Sequence, residues 1–251
     1  MDKSPLAEEA KKYQKEFDYR LPKKSYAILQ LDGRAFHTYT KGLERPFDDS
    51  FINAMNETAK AVVSSVTNAK FAYVQSDEIN IFLSDFDHDN QEAFYNNRIH
   101  KVVSTSAGLA SAFMSRIFPD KEIAVFDARF FATPTKEATK NFFIWRQLDA
   151  VKNSIQATGQ AHISKKSLHS KHSGMIKKEL LELGIDWENF DEGRKQGRLI
   201  SRKPTKRTVT FTHGKTQEVS TIEVDSNPWI IENAPFFMDS DFLDKIVPEK
   251  Q

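Results

Sequence analysis

The chain has 251 residues, carries 36 Lys and Arg against 35 Asp and Glu, and contains no cysteine. That length suits one large domain or a core with an appendage, and the missing thiols exclude a disulfide scaffold, a thiolate zinc site, an iron–sulfur cluster and a thiol nucleophile. A formal net charge of +1 excludes a uniformly basic nucleic-acid coat but permits a local basic patch, and 20 Phe against 9 Gly favour a packed globule over a disordered chain.

Residues 5–19 have the pattern of a short amphipathic helix with Leu6, Tyr13 and Phe17 as its apolar contacts. They lack the apolar core of a signal peptide, and no run approaches the roughly 18 apolar residues of a spanning helix. A cytoplasmic protein without a membrane partner is therefore expected. Residues 25–31 read as a strand ending at Asp32-Gly33. Asp49 or Ser50 can cap a helix with apolar residues at Ile52, Met55, Ala59, Val62, Val63 and Val66. Two strands, 70–75 and 79–83, flank the acidic tip Ser76-Asp77-Glu78, a hairpin. A long helix over about 90–117 and a fourth strand over 122–131 follow.

The order β-α-β-β-α-β is the split βαβ of the ferredoxin-like fold, so an α+β protein with an antiparallel sheet and helices on one face is expected. In that arrangement the first and third strands are antiparallel neighbours. Asp32, at the end of one, then lies beside Asp77, just before the other. This is the palm of nucleotide polymerases and cyclases, in which two such carboxylates hold Mg²⁺.

Residues 135–160 read as a further helical region containing Trp145-Arg146-Gln147. Residues 162–178 are basic and polar, and 180–187 close a short helix with Gly184 as its C-cap. From Arg194 to Arg207 the chain carries seven Lys or Arg and no acid. Residues 207–213 and 217–224 alternate around Gly214-Lys215 as a hairpin. The expected organisation is a catalytic palm over 1–134 with its N-terminal helix. A helical, basic RNA-binding extension over 135–251 ends in the hairpin, across a soft boundary that also allows one compact domain.

Asp32-Gly33 suits oxygen coordination of a hard cation, although an isolated Asp-Gly is ordinarily just a turn. Ser76-Asp77-Glu78 could equally be a solvated tip, except that two adjacent acids repel unless a cation joins them. Spacing alone leaves both readings standing. Two Mg²⁺ would clamp a triphosphate, activate a hydroxyl and neutralise pyrophosphate. Cations must then accompany the phosphates, with Arg34, His37, Arg45, Arg98 and Lys101 as candidates. The basic stretches suit a phosphate backbone, while any single Lys there is ordinarily a solvated charge. His169 and His172 lack a third ligand for zinc.

At Leu31-Asp32-Gly33-Arg34-Ala35-Phe36-His37, Arg45-Pro46, Tyr73-Val74-Gln75-Ser76-Asp77-Glu78, Phe126-Asp127-Ala128-Arg129 and Trp145-Arg146-Gln147-Leu148-Asp149 the chain resembles the tRNA-His guanylyltransferase family, most closely its Thg1-like 3′–5′ RNA polymerase branch. The resemblance covers about 25–155. It implies Mg²⁺-dependent addition of nucleotides to the 5′ end of tRNA. The steps are 5′ adenylylation from ATP, attack by the 3′-hydroxyl of an incoming nucleotide such as GTP, and pyrophosphate removal. It implies two metal ions held by Asp32, the Gly33 carbonyl and Asp77, with Glu78 as a catalytic companion. It implies nucleotide contacts from Arg34, Phe36, His37, Arg45, Ser76, Arg98 and Lys101. The expected RNA contacts are Lys152, Asn153, Lys177, Arg194, Lys195, Arg198, Arg202 and Lys203, and a homo-oligomer, dimer or tetramer, is implied.

Three departures stand out, of which the first bears on the role of Arg45 and the other two on the substrate. Arg45 stands where the family commonly has Lys, and Ala128 replaces Gly. Where eukaryotic members carry His-Ile-Asn-Asn-Leu-Tyr-Asn, this chain reads Val151-Lys152-Asn153-Ser154-Ile155-Gln156-Ala157. Ala128 and the 151–157 segment favour template-dependent repair of tRNA 5′ ends over obligatory G addition. The alternatives are a palm-fold nucleotide cyclase, against which the basic 194–207 stretch argues, and a catalytically silent RNA-binding protein.

Overall fold

The computed structural model describes residues 4–88, 90–214 and 216–250. The Ser4 hydroxyl accepts the Ala7 N–H at 3.2 Å, and Pro5 occupies the first helical turn, where its missing N–H is not needed. The resulting helix α1 (Pro5–Glu16) buries none of its residues. Leu6, Tyr13 and Phe17, the apolar positions of this segment, are largely exposed among the described residues. Its cap, the Lys11–Glu8 pair and the Tyr13 hydroxyl bonded to Glu9 are among its local supports.

The chain continues through β1 (Tyr26–Gly33), the one-turn α2 (Phe36–Tyr39), α3 (Asp49–Ser65), β2 (Ala69–Gln75), β3 (Glu78–Ser84), α4 (Ile99–Ile117) and β4 (Phe126–Thr133). Asp48, one residue earlier than expected, caps α3 by accepting the Phe51 N–H at 2.9 Å. α4 starts later than the sequence suggests, because Tyr95, Asn96 and Asn97 hold left-handed φ of 48°, 52° and 56°. β4 also starts late. The Ala124 and Phe126 N–H groups donate to the Ser115 and Ser111 hydroxyls of α4, tying that approach to a helix.

Then come α5 (Lys136–His162), α6 (Lys165–Leu168), α7 (Ser173–Glu182), α8 (Glu192–Gln196), β5 (Arg198–Arg202), the hairpin β6 (Thr205–Thr212) and β7 (Val219–Ser226), β8 (Trp229–Asn233) and α9 (Phe242–Ile246). The main sheet has the order β4-β1-β3-β2-β5-β8, and its neighbours pair antiparallel. Its first four strands are the ferredoxin-like palm, with β1 and β3 central. β5 and β8 extend it from the part of the chain beyond residue 134. The basic stretch 194–207 is thus not one solvated face. It contains a strand, hidden because only Leu199-Ile200-Ser201 separates two arginines.

Strand alternation gives the sheet two faces. Leu29, Leu31, Ile79 and Ile81 pack with Met55 and Val62 of α3 and Met114 of α4. Ile28, Phe71, Tyr73 and Phe82 face the other way, with Phe143 of α5. Each such fully buried side chain contributes about 1.5–3 kcal/mol. α5 crosses this second face diagonally. Phe142 packs on Phe131 of β4 at 5.5 Å, Arg146 reaches Glu78 of β3, and Ser154 donates to the Lys195 carbonyl of α8. The β1–β4 corner, with Gln30, Asp32, Asp127 and Arg129, is left half-buried or exposed.

Candidate active site

The β1–β3 ladder pairs Asp32 with Glu78, and the β1–β4 ladder pairs it with Asp127. Asp32 therefore has an acid on each flanking strand. The two-residue link Ser76-Asp77 closes β2 onto β3, with Gln75 opposite Glu78. Ser76 holds a left-handed φ of 47°, an uncommon geometry for a residue other than glycine. The Gly33 N–H donates to the Asp77 carbonyl at 3.1 Å, which locks the two acidic turns together. Gly33 is required by close approach: a Cβ there would lie 2.5 Å from the Phe36 ring.

Both carboxyls are pushed above the usual carboxylate range. For Asp32 the cause is burial, then the charges of Asp77, Glu78 and Asp127, against a weaker opposing pull from Arg129. For Asp77 burial again leads. Its own N–H, the Ser76 hydroxyl and His37 act in the opposite sense. Glu78 is different. Arg146 grips it through both edges, Nε–Oε1 and Nη2–Oε2 each at 2.7 Å, and Asn80 donates to Oε1 at 2.6 Å. Arg146 also reaches Asp149 at 3.0 Å. The Glu78 oxygens are thus committed to a protein cation, and Glu78 is placed to orient rather than to ligate.

Two cavities meet at Asp77. The larger, about 520 Å³, is lined by Gly33, Phe36, His37, Arg45, Asp77 and Arg194, among others. The smaller, about 400 Å³, is lined by Asp32, Glu78, Arg146, Gln156 and Gln160 besides Asp77. Each falls in the range of small-molecule sites. Among the described residues no group of three or more His, Cys, Asp or Glu side chains forms a ligand cluster. That donor set fits a small hard cation, which commonly takes one or two carboxylates and completes its shell with water and substrate phosphate.

The sequence-derived residues divide. Gly33, Phe36, His37, Arg45, Ser76 and Asp77 share the larger cavity, and Asn153 lines both. Phe36 is nonetheless a core side chain, 4.8 Å from the Tyr39 ring and 5.0 Å from that of Phe126. Arg34 is exposed outside both cavities. Arg98 and Lys101 are not brought to the carboxylates. They flank a third hollow beside α1, where Arg98 pairs with Asp18 at 3.0 Å and Lys101 lies 4.6 Å from the Tyr95 ring. The reason is topological. α4 begins next to the entry of β1, its Ile99 N–H donating to the Tyr19 carbonyl, while Asp32 ends that strand.

Among the expected RNA contacts, Lys152 and Arg202 are exposed. Lys177 pairs with Glu188, Arg194 with Asp49, and Lys203 with Glu232. Lys195 and Arg198 are buried and line the larger cavity rather than the open surface. Lys195 donates to the Glu188 carbonyl at 2.8 Å. Arg198 donates to Asn56 at 3.0 Å and to the Gly193 carbonyl at 3.2 Å, and burial lowers its pKa to about 10.

Sequence reasoning found no chemistry for Trp145-Arg146-Gln147. Arg146 holds Glu78, and Gln147 bonds the Pro235 carbonyl and the Phe237 N–H, fixing the C-terminal segment. A signal existed. Arg146, Asp149, Asn153, Gln156 and Gln160 recur every three or four residues, a polar stripe on one side of α5.

Residues 7–134, just over half of the chain, match the family described as tRNAHis guanylyltransferase. The tRNA(His) guanylyltransferase of Debaryomyces hansenii is 28% identical over 223 residues, covering 79% of this chain and 82% of that protein. A solved bacterial tRNA(His) guanylyltransferase (Thg1)-like protein in complex with ATP superposes with a TM-score of 0.84 at 28% identity, over 98% of this chain and 100% of the other. A second such structure, in complex with GTP, gives 0.80 at 27% identity, over 97% and 99%.

Proposed function

Because this chain belongs to the tRNA-His guanylyltransferase family and is a nucleotidyltransferase, we propose that Asp32, the Gly33 carbonyl and Asp77 are its metal-binding centre, for Mg²⁺-dependent addition of nucleotides to the 5′ end of tRNA. The observation that carries this reading is the pairing of two mutually repelling, partly buried carboxylates where two cavities meet. When bound, Mg²⁺ supplies charge neutralisation for phosphates and lowers the pKa of a hydroxyl. The chain's own residues do the rest. His37 and Arg45 face the polyphosphate in the larger cavity. Arg146 fixes Glu78, so that the acid beside Asp32 keeps one position. Ser76 sets the turn that aims Asp77. ATP serves to adenylylate the 5′ end and a second triphosphate such as GTP supplies the added nucleotide. Arg98 and Lys101, remote from the carboxylates in one chain, keep their proposed nucleotide role through an oligomer that juxtaposes subunits.

Template-dependent 5′-end repair fits residues 151–157 better than obligatory G addition, since Asn153 alone is kept from the eukaryotic motif and it lines both cavities. The test is an assay offering full-length tRNA-His and a 5′-truncated tRNA, with each triphosphate in turn, and reading the 5′ end. Addition only opposite a pairing base supports repair. Addition of G to tRNA-His regardless of the opposing base supports the guanylyltransferase role. A cyclic product from GTP alone would point to a cyclase.

A further inference from the structure

Of the three tryptophans, Trp187 and Trp229 are 7% exposed and Trp145 is 57% exposed. Leaving an indole in water needs a reason when Phe143, Arg146, Gln147 and Ala150 of the same helix are buried. Trp145 stands over the cation of the site: the Arg146 guanidinium lies 4.4 Å from its ring centroid, and that guanidinium grips Glu78, the cross-strand partner of Asp32. The ring also packs edge-on to Phe142 at 5.9 Å, which in turn packs on Phe131 of β4. Trp145 therefore lies on the flank of α5 that borders the open β1–β4 corner. Two turns on, at helical spacing, the same flank carries Lys152, which is exposed. A flat aromatic face backed by a guanidinium, followed by a cation, next to an uncovered corner with Asp32, is the composition of a single-stranded nucleic-acid platform.

We propose that Trp145, with Lys152, forms a stacking ledge for a base at the 5′ end of the RNA substrate. This ledge stands on the α5 side of the carboxylate pair, distinct from the larger cavity that takes the triphosphate. The proposal rests on the nucleotidyltransfer reading. The stack holds the unpaired end over the β1–β4 corner, and Lys152 meets a phosphate of the same strand. One base on an aromatic contributes about 1–3 kcal/mol, roughly a five- to hundredfold effect on RNA binding.

The test uses the full chain, a 5′-phosphorylated acceptor-stem RNA with an unpaired end, and the variants Trp145→Ala and Trp145→Phe. Trp145→Ala should raise the KM for RNA about five- to a hundredfold and leave the KM for the triphosphate within about twofold, while Trp145→Phe recovers most of the loss. RNA titration should quench the tryptophan emission of the unmodified chain and shield it from acrylamide, and this response should be absent from Trp145→Ala. An unchanged KM for RNA overturns the proposal. So does an equal loss of kcat with RNA KM unchanged and no rescue by Phe, which would make the indole only a cover for Arg146–Glu78. Failure of the unmodified chain to extend any RNA sinks the nucleotidyltransfer reading instead, and the emission titration still reads the ledge separately.

Discussion

Asp32 and Glu78 stand opposite each other in the β1–β3 ladder, and of these two acids only Glu78 is ion-paired with a cation among the described residues. Arg146 neutralises Glu78, whereas Asp32 shares its surroundings with Asp77 and Asp127. An acid held by a cation of the chain thus stands beside two carboxyls that have no ion pair among the described residues. Those two are the pair proposed above to hold a metal ion.

Removing one member of that pair should relieve strain in the metal-free protein. Burial and neighbouring acids raise both folded carboxyls above their unfolded values. The penalty is absent below about pH 4, where both states are protonated, and grows as pH rises through the folded values. Asp32→Asn and Asp77→Asn should thus melt a few degrees above the unmodified chain at pH 7–8, with the gap closing in acid. Mg²⁺ should raise the melting temperature of the unmodified chain alone. Lower melting of both variants at pH 8 would refute the repulsion.

Arg146→Ala leaves the buried Glu78 without its cation, with Oε1 kept by the Asn80 amide alone and Oε2 losing the Arg146 bond. The expected loss is about 3–5 kcal/mol of unfolding free energy. Adding Glu78→Gln should recover part of it, because no charge is then stranded. Urea unfolding of the four proteins gives the coupling, and strictly additive losses would show that the pair does not act as one.

Salt dependence separates exposed cations from buried ones. Lys152→Ala should flatten the plot of log affinity against log salt for tRNA by about 0.9. Arg198→Leu should leave that slope alone, because Arg198 is enclosed between Asn56 and Gly193. A shallower slope for Arg198→Leu would return that residue to the RNA surface.

Gly33→Ala forces a Cβ to within 2.5 Å of the Phe36 ring, which packs in the core. Overpacking of this kind costs about 1–3 kcal/mol. The displaced turn also carries His37, so the KM for the triphosphate should rise together with the loss of stability. Denaturation and initial rates on the same preparation check both.

The palm was legible because its signals are local: alternating strands, a capped α3 and two acidic turns whose meeting follows from strand order. Asp32 beside Asp77 needed only the ferredoxin-like topology. Other features were set by distant contacts. Arg198 looks like a surface cation until β5 pairs with β2 and closes α3 and α8 around it. Arg98 and Lys101 sit at the wrong end of the sheet for a single chain because α4 begins beside the entry of β1. Arg146 carried no spacing rule of its own, since its partner Glu78 is far away in the chain.

The centre proposed at Asp32 and Asp77 would support growth of an RNA at its 5′ end. The most direct measurement is the mass of the two terminal fragments of a 5′-monophosphorylated tRNA after incubation with ATP, one further triphosphate and Mg²⁺. The unmodified chain should lengthen the 5′ fragment and leave the 3′ fragment unchanged, and Asp32→Asn and Asp77→Asn should lower that yield at least about a hundredfold. Extension at the 3′ end, or undiminished 5′ extension by either variant, would contradict it.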